Sequence, residues 1–287
     1  MFTLFAVPKP FAGHINTIQR NALASWQRLN CEILLLGGGA DVAAVAAETG
    51  VRHLPDIACS PDGTPLLPDL FARAEAEASY AVLCYVNADI ILMSDFSAAL
   101  AQVRARWQQF LLVGQRWDTD IVQPVAFESQ WEQQLRAFAL AQGRAHGPGG
   151  MDYFAFSAGI WHDMPPFWLG RLVFDNWLLY AARKAAIPVI DATSCVLAIH
   201  QNHNYSHIPG IQSGSLRNTP ETRTNIALGR GCAGTFTLRD STHRLSSSGI
   251  AQRRDVWTRY RSLSLKQGWQ WLCVPVQIYR QWRVRHG

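Results

Sequence analysis

The sequence lacks several patterns that would assign it to a well-defined class of nucleotide-binding or hydrolytic protein. Its 287 residues contain no G-x-x-x-x-G-K-[ST] motif and no G-x-S-x-G motif. These absences argue against a P-loop and against the nucleophile elbow of an α/β-hydrolase. The run Gly37-Gly38-Gly39 lacks the G-x-G-x-x-G spacing of a dinucleotide site. Any nucleotide chemistry must therefore come from another motif.

Metal-binding cysteine pairs and long apolar runs are also missing. No two of the six cysteines form a C-x-x-C pair, so a zinc site is not expected. We expect free thiols in a reducing compartment. No apolar stretch reaches the roughly 18–20 residues of a membrane span, and the N-terminus has no basic signal-peptide region. These features predict a cytoplasmic protein.

Charge is scarce, at 16% of residues, and the positive excess is concentrated in one segment. Residues 251–287 carry eight Arg and Lys against Asp255 alone. Because the rest of the chain is slightly acidic, a core that binds nucleic acid is not indicated. The segment interleaves Arg with Trp and Tyr, a composition that favours peripheral contact with the inner face of a membrane. The alternative is a helix packed on the body with its arginines facing water.

Apolar strands alternate with amphipathic helices through residue 118. Strands are predicted within 3–11, 31–37, 80–92 and 109–118, with helices between them. This alternation predicts an α/β fold with a doubly wound, mostly parallel central sheet flanked by helices. We expect one domain over 1–208, a loop-rich, mobile segment over 209–250 that is rich in Ser, Thr, Gly and Arg, and a basic aromatic segment over 251–287.

The stretch LCYVNADIIL, residues 83–92, carries polar residues inside an apolar run. Such a run is typical of a strand buried on both faces, and a buried carboxylate is costly unless it is paired or binds a cation. Two-residue periodicity predicts that Asn87 and Asp89 point to the same side of this strand. Ligands of doubly wound sheets bind beyond the carboxyl ends of the strands, where both residues are expected to lie.

With this motif in place, the chain resembles the GT-A glycosyltransferases, the nucleotide-diphospho-sugar transferases, over roughly residues 3–203. In that family a D-x-D motif ends a strand, and its last Asp holds a divalent cation on the nucleotide diphosphate. The matching residues here are Asn87-Ala88-Asp89, so the first Asp has become Asn. The resemblance implies Asp89 as a ligand of Mn²⁺ or Mg²⁺, cations that prefer oxygen ligands, and Asn87 as a nucleotide contact. Alone, Asp89 would also fit a capping role.

A second match is GGMDYFAFSAGIW followed by a helix that contains Phe174-Asp175-Asn176-Trp177. In inverting members an Asp at this place deprotonates the acceptor hydroxyl, so the resemblance implies Asp175 as the base and Asn176 as a substrate contact. An Asp among apolar residues is partly desolvated, which raises its pKa toward that of a useful base. Helix capping or an ion pair with Arg171 or Arg183 is the alternative. Asp152 is the rival, for which we favour contact with sugar hydroxyls.

Further matches follow other predicted strands. His200 ends the strand CVLAI at the place where several family members have another metal ligand, and His203 and His207 follow at His-x-x-His and longer spacing. Nucleotides bind near the end of the first strand in this family, which implies contacts from Pro8 and Lys9. Arg116 is suited to phosphate, and Trp117 to stacking on a sugar. Structural histidines, an exposed lysine and surface ion pairs are the respective alternatives.

The resemblance thus implies an enzyme that transfers a sugar from a nucleotide-diphosphate donor to an acceptor hydroxyl, with a divalent metal and with inversion at the anomeric carbon. One alternative is a nucleotidyltransferase that makes nucleotide sugars, although VPKPFAGH contains only one of the glycines that its loop requires. Another is a non-catalytic relative that binds nucleotide sugars. The change of the first motif Asp to Asn87 favours the latter.

Overall fold

A computed structural model of the protein describes residues 1–203, 219–230 and 233–267. The strands within these ranges are β1 Thr3–Ala6, β2 Glu32–Leu36, β3 Arg52–Leu54, β4 Val82–Val86, β5 Ile90–Ile91, β6 Leu111–Thr119, β7 Arg144–Ala145, β8 Met151–Ser157, β9 Val189–Asp191, β10 Ala198–Gln201, β11 His243–Ser246 and β12 Gly249–Gln252. The helices are α1 Gly13–Trp26, α2 Ala40–Thr49, α3 Leu67–Glu77, α4 Ser94–Arg104, α5 Trp131–Gln142, α6 Phe174–Lys184, α7 Pro220–Leu228 and α8 Val256–Gln267.

One long mixed sheet organises the described residues, in the order β12-β11-β9-β6-β8-β4-β1-β2-β3. The four strands β3, β2, β1 and β4 are parallel to one another, as crossover helices require. The antiparallel strand β8 lies between β4 and β6, and β9 is again parallel to β6. This architecture confirms the predicted fold class.

The core lies on both faces of the sheet because successive side chains of a buried strand point to opposite sides. On β1, Leu4 packs with helices α1, α2 and α4, and Phe5 packs with α3 and α6. Both side chains are fully buried. Helices therefore cover both faces, which explains why β1, β2 and β4 are almost continuously apolar.

The prediction of one strand over residues 83–92 is wrong at its polar centre. Strand β4 ends at Val86, and residues 87–89 form a turn in which the Ile90 N–H donates to the Asn87 carbonyl over 3.1 Å. The chain then enters β5, which pairs with β10 instead of continuing beside β1. The polar residues thus mark the carboxyl end of β4 and leave the buried strand intact.

The segment 209–250, predicted to be loop-rich, contains regular elements in the part that the structure describes. Residues 220–228 form α7, and the hairpin of β11 and β12 extends the main sheet through parallel pairing of β11 with β9. Strand β11 is short, with Leu245 as its buried apolar residue, so its sequence carries little strand signal. The conformation of β11 therefore depends on its pairing with β9, which is a tertiary contact and not a local propensity.

Helix α8 begins the basic aromatic segment and packs on the body. Its Arg261 is fully buried, and the Arg261 Nε donates to Asp240 Oδ1 over 2.7 Å. Residues 268–287 lie outside the described part of the chain, so membrane contact through 251–287 stays a prediction. No helix among the described residues is both long enough and apolar enough to cross a membrane.

Candidate functional site

A cavity of about 540 Å³ opens at the carboxyl ends of β1 and β4. Seven of the predicted site residues line it, namely Pro8, Lys9, Asn87, Asp89, Arg116, Asp152 and His200. They come from the ends of several strands and from the loop that follows β1. The position is the one at which doubly wound sheets bind ligands.

Strand pairing brings His200 to Asp89. In β10, His200 lies opposite Ile90 of β5 and opposite Asp118 of β6. Because Ile90 directly follows Asp89, this register holds the His200 Nε2 at 3.9 Å from Asp89 Oδ2. Two residues separated by more than a hundred positions thus share one site through backbone pairing alone.

His203 completes a cluster of three candidate metal ligands. Its Nε2 lies 3.0 Å from Asp89 Oδ2, and the nearest donor atoms of Asp89, His200 and His203 all lie within 4.8 Å of one another. One carboxylate and two imidazoles are a donor set that transition metals accept. The His-x-x-His spacing was the signal for His203 in the sequence, but only the fold shows that it faces Asp89.

Two details of the cluster fit a cation. Asp89 Oδ1 is buried and has no hydrogen-bond partner among the described residues, which is costly for a carboxylate oxygen. The His203 Nε2 also lies 3.3 Å from the Lys9 Nζ, and one ring nitrogen cannot both accept from Lys9 and donate to Asp89. A cation bound to Asp89 and to the lone pairs of the two imidazoles would satisfy both requirements.

Asp118 contacts the His200 imidazole at Nδ1, the nitrogen that does not face Asp89. Its Oδ1 lies 3.2 Å from the His200 Nδ1, on the opposite side of the ring from the nitrogen that faces Asp89. Such a carboxylate–histidine pair fixes the orientation and tautomer of a metal-binding imidazole. The Arg116 Nε also donates to Asp118 Oδ1 over 2.8 Å, and the His146 Nδ1 lies 2.7 Å from Asp118 Oδ2. Asp118 was not among the predicted ligands.

Asp152 is held by two of its predicted neighbours. The Arg116 Nη1 donates to Asp152 Oδ2 over 2.8 Å, and the Asn87 Nδ2 donates to Asp152 Oδ1 over 2.8 Å. The Tyr85 hydroxyl donates to Asn87 Oδ1 over 2.7 Å, so both polar atoms of the Asn87 amide have partners. Asn87 therefore organises the cavity wall, and Asp152 keeps further lone pairs for a ligand hydroxyl.

The Lys9 loop is fixed to the first helix. The Lys9 N–H donates to Gln19 Oε1 over 2.7 Å, and the Gln19 Nε2 donates back to the Lys9 carbonyl over 2.8 Å. Prolines at positions 8 and 10 restrict the backbone on either side. The Lys9 ammonium is thereby held inside the cavity near Asp89 and His203.

The protonation equilibria at the site reflect competition between burial and charge. Burial raises the pKa of Asp89, but the hydrogen bond with His203 and the nearby cationic groups outweigh this effect and lower the pKa to about 2. Burial lowers the pKa of His200, and the charge of Asp89 only partly opposes it. Burial likewise lowers the pKa of Lys9. A charged carboxylate beside a neutral imidazole is the state that binds a metal ion.

Three predicted site residues do not line this cavity. Trp117 alternates with Arg116 and Asp118 along β6, so it points to the other face, where its Nε1 donates to the Ala139 carbonyl over 2.7 Å. The structure thus corrects its predicted role as a sugar platform in this cavity. The Asn176 Nδ2 donates to the Phe236 carbonyl over 2.5 Å, and its predicted substrate contact stays a prediction.

Asp175 lies in the first turn of α6, one layer behind the cavity wall. Its Oδ1 accepts the Asn176 N–H over 2.9 Å, and its negative charge is among the causes, after burial, that raise the pKa of Tyr85. Tyr85 lines the cavity, whereas Asp175 does not. Its role as base stays a prediction.

Comparison with known proteins gives distant structural likenesses. No protein-family model matches the chain, and no curated protein matches its sequence. Glucosyl-3-phosphoglycerate synthase from Mycobacterium tuberculosis, solved with Mn²⁺, UDP and glucosyl-3-phosphoglycerate, is 13% identical over 79% of this chain and 77% of its own, with a TM-score of 0.42. S. aureus TarS 1–349 is 11% identical over 44% of this chain and 40% of its own, with a TM-score of 0.31. HddC from Yersinia pseudotuberculosis is 11% identical over 57% of this chain and 80% of its own, with a TM-score of 0.34.

Proposed function

We propose that the chain is a metal-dependent glycosyltransferase that moves a sugar from a nucleotide-diphosphate donor to an acceptor hydroxyl. The observation that carries the proposal is the cluster of Asp89, His200 and His203 in the wall of a 540 Å³ cavity at the carboxyl edge of the sheet. Asp89 Oδ1 is buried without a hydrogen-bond partner in the described part of the chain, and a bound cation would compensate for this cost.

Asp89, His200 and His203 would hold the divalent cation, Mn²⁺ or Mg²⁺. When bound, such an ion neutralises charge on the diphosphate leaving group and orients it. The imidazole ligands favour Mn²⁺ over Mg²⁺, because Mg²⁺ prefers oxygen ligands and retains its waters. Asp118 keeps the Nε2 of His200 directed at the ion position.

The remaining lining residues bind and orient the donor. The Lys9 ammonium lies near Asp89 at one wall and supplies a positive charge for the phosphates. Arg116 holds Asp152, whose carboxylate retains lone pairs that can accept from the hydroxyls of the donor sugar. Pro8 shapes the loop that would contact the nucleotide.

The first test is donor binding by calorimetry with a panel of nucleoside diphosphates, with and without Mn²⁺. We expect the Asp89→Ala variant to lose metal-dependent binding by about a hundredfold or more, because it loses the carboxylate ligand and its charge. Glu48→Ala is the matched control, since Glu48 is an exposed carboxylate on α2 that pairs with Arg20 of α1. Equal nucleotide affinity of the wild type with and without Mn²⁺ would contradict the proposed metal site.

The second test concerns the base. If Asp175 accepts the proton from the acceptor, Asp175→Asn should retain donor binding and lose about 10²- to 10⁴-fold in turnover. The product of the wild type should then have the inverted anomeric configuration, measured by NMR. Full turnover by the variant would remove Asp175 as the base and leave inversion without support.

A second candidate function, a non-catalytic nucleotide-sugar-binding protein, is favoured by the Asn87 amide. Both of its polar atoms are hydrogen-bonded within the protein, so it is not a substitute for the missing carboxylate of a D-x-D motif. Such a protein would bind a nucleotide sugar with Mn²⁺ and release no sugar from it. A nucleotidyltransferase would instead release pyrophosphate from a nucleoside triphosphate and a sugar phosphate. Chromatography of the products separates the three functions.

A further inference from the structure

A second cavity, of about 630 Å³, has none of the three metal-cluster residues in its lining. Its walls come from the end of β9, the β11–β12 hairpin, the start of α8 and a short 3₁₀ turn at Leu238–Asp240. All of these elements follow residue 188, in the half of the chain whose helix and strand patterns are less regular. None of its lining residues is among the predicted site residues.

This cavity presents positive charge. Three arginines and two aspartates line it, and Arg253 is near both carboxylates, at 3.9 Å from Asp191 and 3.3 Å from Asp255. Arg239 and Arg244 are exposed, and their guanidinium groups make no ion pair or hydrogen bond with another side chain of the described residues. Two guanidinium groups therefore remain available to one space.

The backbone holds both arginines in fixed positions. Arg244 lies directly opposite Asp191 in the parallel register of β11 with β9. Arg239 lies in the 3₁₀ turn, whose capping box joins Thr237 to Asp240. Asp240 is in turn anchored by the buried Arg261. The two guanidinium groups therefore start from rigid elements, which reduces the entropy cost of binding an anion.

An aromatic side chain completes the wall. The Trp257 Nε1 donates to Asp240 Oδ1 over 2.9 Å and the Arg261 guanidinium lies 4.9 Å from the ring centroid, so the N–H group is used within the protein and apolar parts of the indole remain for the cavity wall. Arginines that bind anions beside an aromatic surface suit a ligand that combines a charged group with a ring. A sugar bearing a phosphate or a carboxylate has both.

Shared walls connect this cavity to the metal cluster. Arg116 lines the first cavity and also a small one of about 200 Å³. Gln115, Thr193 and Ser194 line both the small cavity and the large one. The three spaces thus share lining residues along the carboxyl-terminal half of β6, and the small cavity, which Trp117 also lines, lies between the other two in this series.

We propose that the large cavity binds the acceptor, and that this acceptor is an anionic saccharide. Its phosphate or carboxylate binds Arg239 and Arg244, its ring contacts Trp257, and its reacting hydroxyl lies toward Arg116 and the donor. This assignment rests on the proposed glycosyltransferase function. It explains why a cavity with two available arginines adjoins a site whose own arginine, Arg116, is already paired with Asp118 and Asp152.

The test measures anionic-sugar binding by calorimetry on the full chain, without nucleotide or metal. The probes are glucose 6-phosphate, glucuronate and uncharged glucose. We expect at least one charged probe to bind about tenfold or more tightly than glucose, with an affinity that falls as salt rises. Comparing the phosphate with the carboxylate probe identifies which anion the site prefers. Equal affinity for all three probes would overturn the proposal.

The variant Arg239→Gln/Arg244→Gln should weaken binding of the charged probe by about tenfold or more. Arg254→Gln is the matched control, because Arg254 is an exposed neighbour outside the cavity lining and its loss should leave the affinity unchanged. Unchanged affinity in the double variant would overturn the proposal. Asp89→Ala separates the two claims, since it should remove metal-dependent nucleotide binding and leave binding of the charged sugar intact.

Discussion

Asp89 and Asp240 are both carboxylates largely shielded from solvent beside cationic groups, but they differ in how many hydrogen bonds their oxygens accept. Asp240 Oδ1 accepts from the Arg261 Nε over 2.7 Å and from the Trp257 Nε1 over 2.9 Å. Its Oδ2 accepts from the Thr237 N–H over 2.8 Å. At Asp89 one oxygen faces His203, and the other has no partner among the described residues.

The difference separates a structural carboxylate from one that suits a ligand. A buried charge whose lone pairs are all satisfied from within the protein fixes the elements that supply the donors. Asp240 thus ties α8 to the 3₁₀ turn that carries Arg239. A carboxylate with an unbonded oxygen contributes less to stability and retains its capacity to bind a ligand, which is the usual compromise at a functional site.

The largest expected effect is on the free energy of unfolding, through the structural carboxylate Asp240. Asp240→Asn leaves the fully buried Arg261 without its counter-charge and should lower the free energy of unfolding by about 3–5 kcal/mol. Urea denaturation followed by circular dichroism measures the change. Asp89→Asn is the comparison variant and should cost less, about 1–2 kcal/mol, because His203 and the nearby cations stabilise the Asp89 charge while its Oδ1 has no partner among the described residues. Equal losses in both variants would break the distinction between the two carboxylates.

A smaller effect, on metal affinity, is expected at Asp118, which contacts His200, Arg116 and His146. Asp118→Asn should weaken Mn²⁺ binding by about 10- to 100-fold, because His200 loses the carboxylate at its Nδ1. Electron paramagnetic resonance of free Mn²⁺ measures the affinity. The control Asp163→Asn changes an exposed carboxylate outside the cavity lining and should leave the affinity unaltered. An unchanged affinity in Asp118→Asn would mean that His200 needs no support.

The smallest effect concerns a third carboxylate, Glu32, at the start of β2. Burial raises its pKa, but hydrogen bonds from Thr3, Ser79 and Arg52 outweigh this effect and lower the pKa to about 2. A depressed pKa means that the carboxylate stabilises the fold above its unfolded pKa of about 4.3 and loses that contribution as the pH falls toward 2. Glu32→Gln should therefore lose about 1 kcal/mol at pH 6 and show a shallower decline in stability between pH 5 and pH 2.5. Parallel urea midpoints across this range test it, and identical slopes would contradict it.

Much of the fold was predictable because its signals are local. Apolar runs such as those of β2 and β4 are buried on both faces wherever they lie in a parallel sheet, so their role follows from composition. The hairpin of β11 and β12 was missed because its residues are polar and its conformation depends on pairing with β9. Local propensity carries no information about such a partner.

The residues of the candidate site also divide into those that the sequence predicted and those that only the fold could place. Asp89 was predicted from its place at a strand end together with the resemblance to the GT-A glycosyltransferases, and His200 from that resemblance, with His203 three residues further on as a weaker candidate. Trp117 was assigned to the wrong side because its neighbours in β6 suggested a common site, whereas alternation along the strand separates it from Arg116.

By itself the sequence determined which segments are buried and which polar residues end them, because burial and periodicity are properties of neighbours along the chain. Only the tertiary structure decided that Asp89, His200 and His203 meet, and that Arg239 and Arg244 share a cavity joined to them. Those meetings depend on the register between strands far apart in sequence, in particular β5 with β10 and β9 with β11. Register is set by the packing of the whole sheet, and no single segment encodes it.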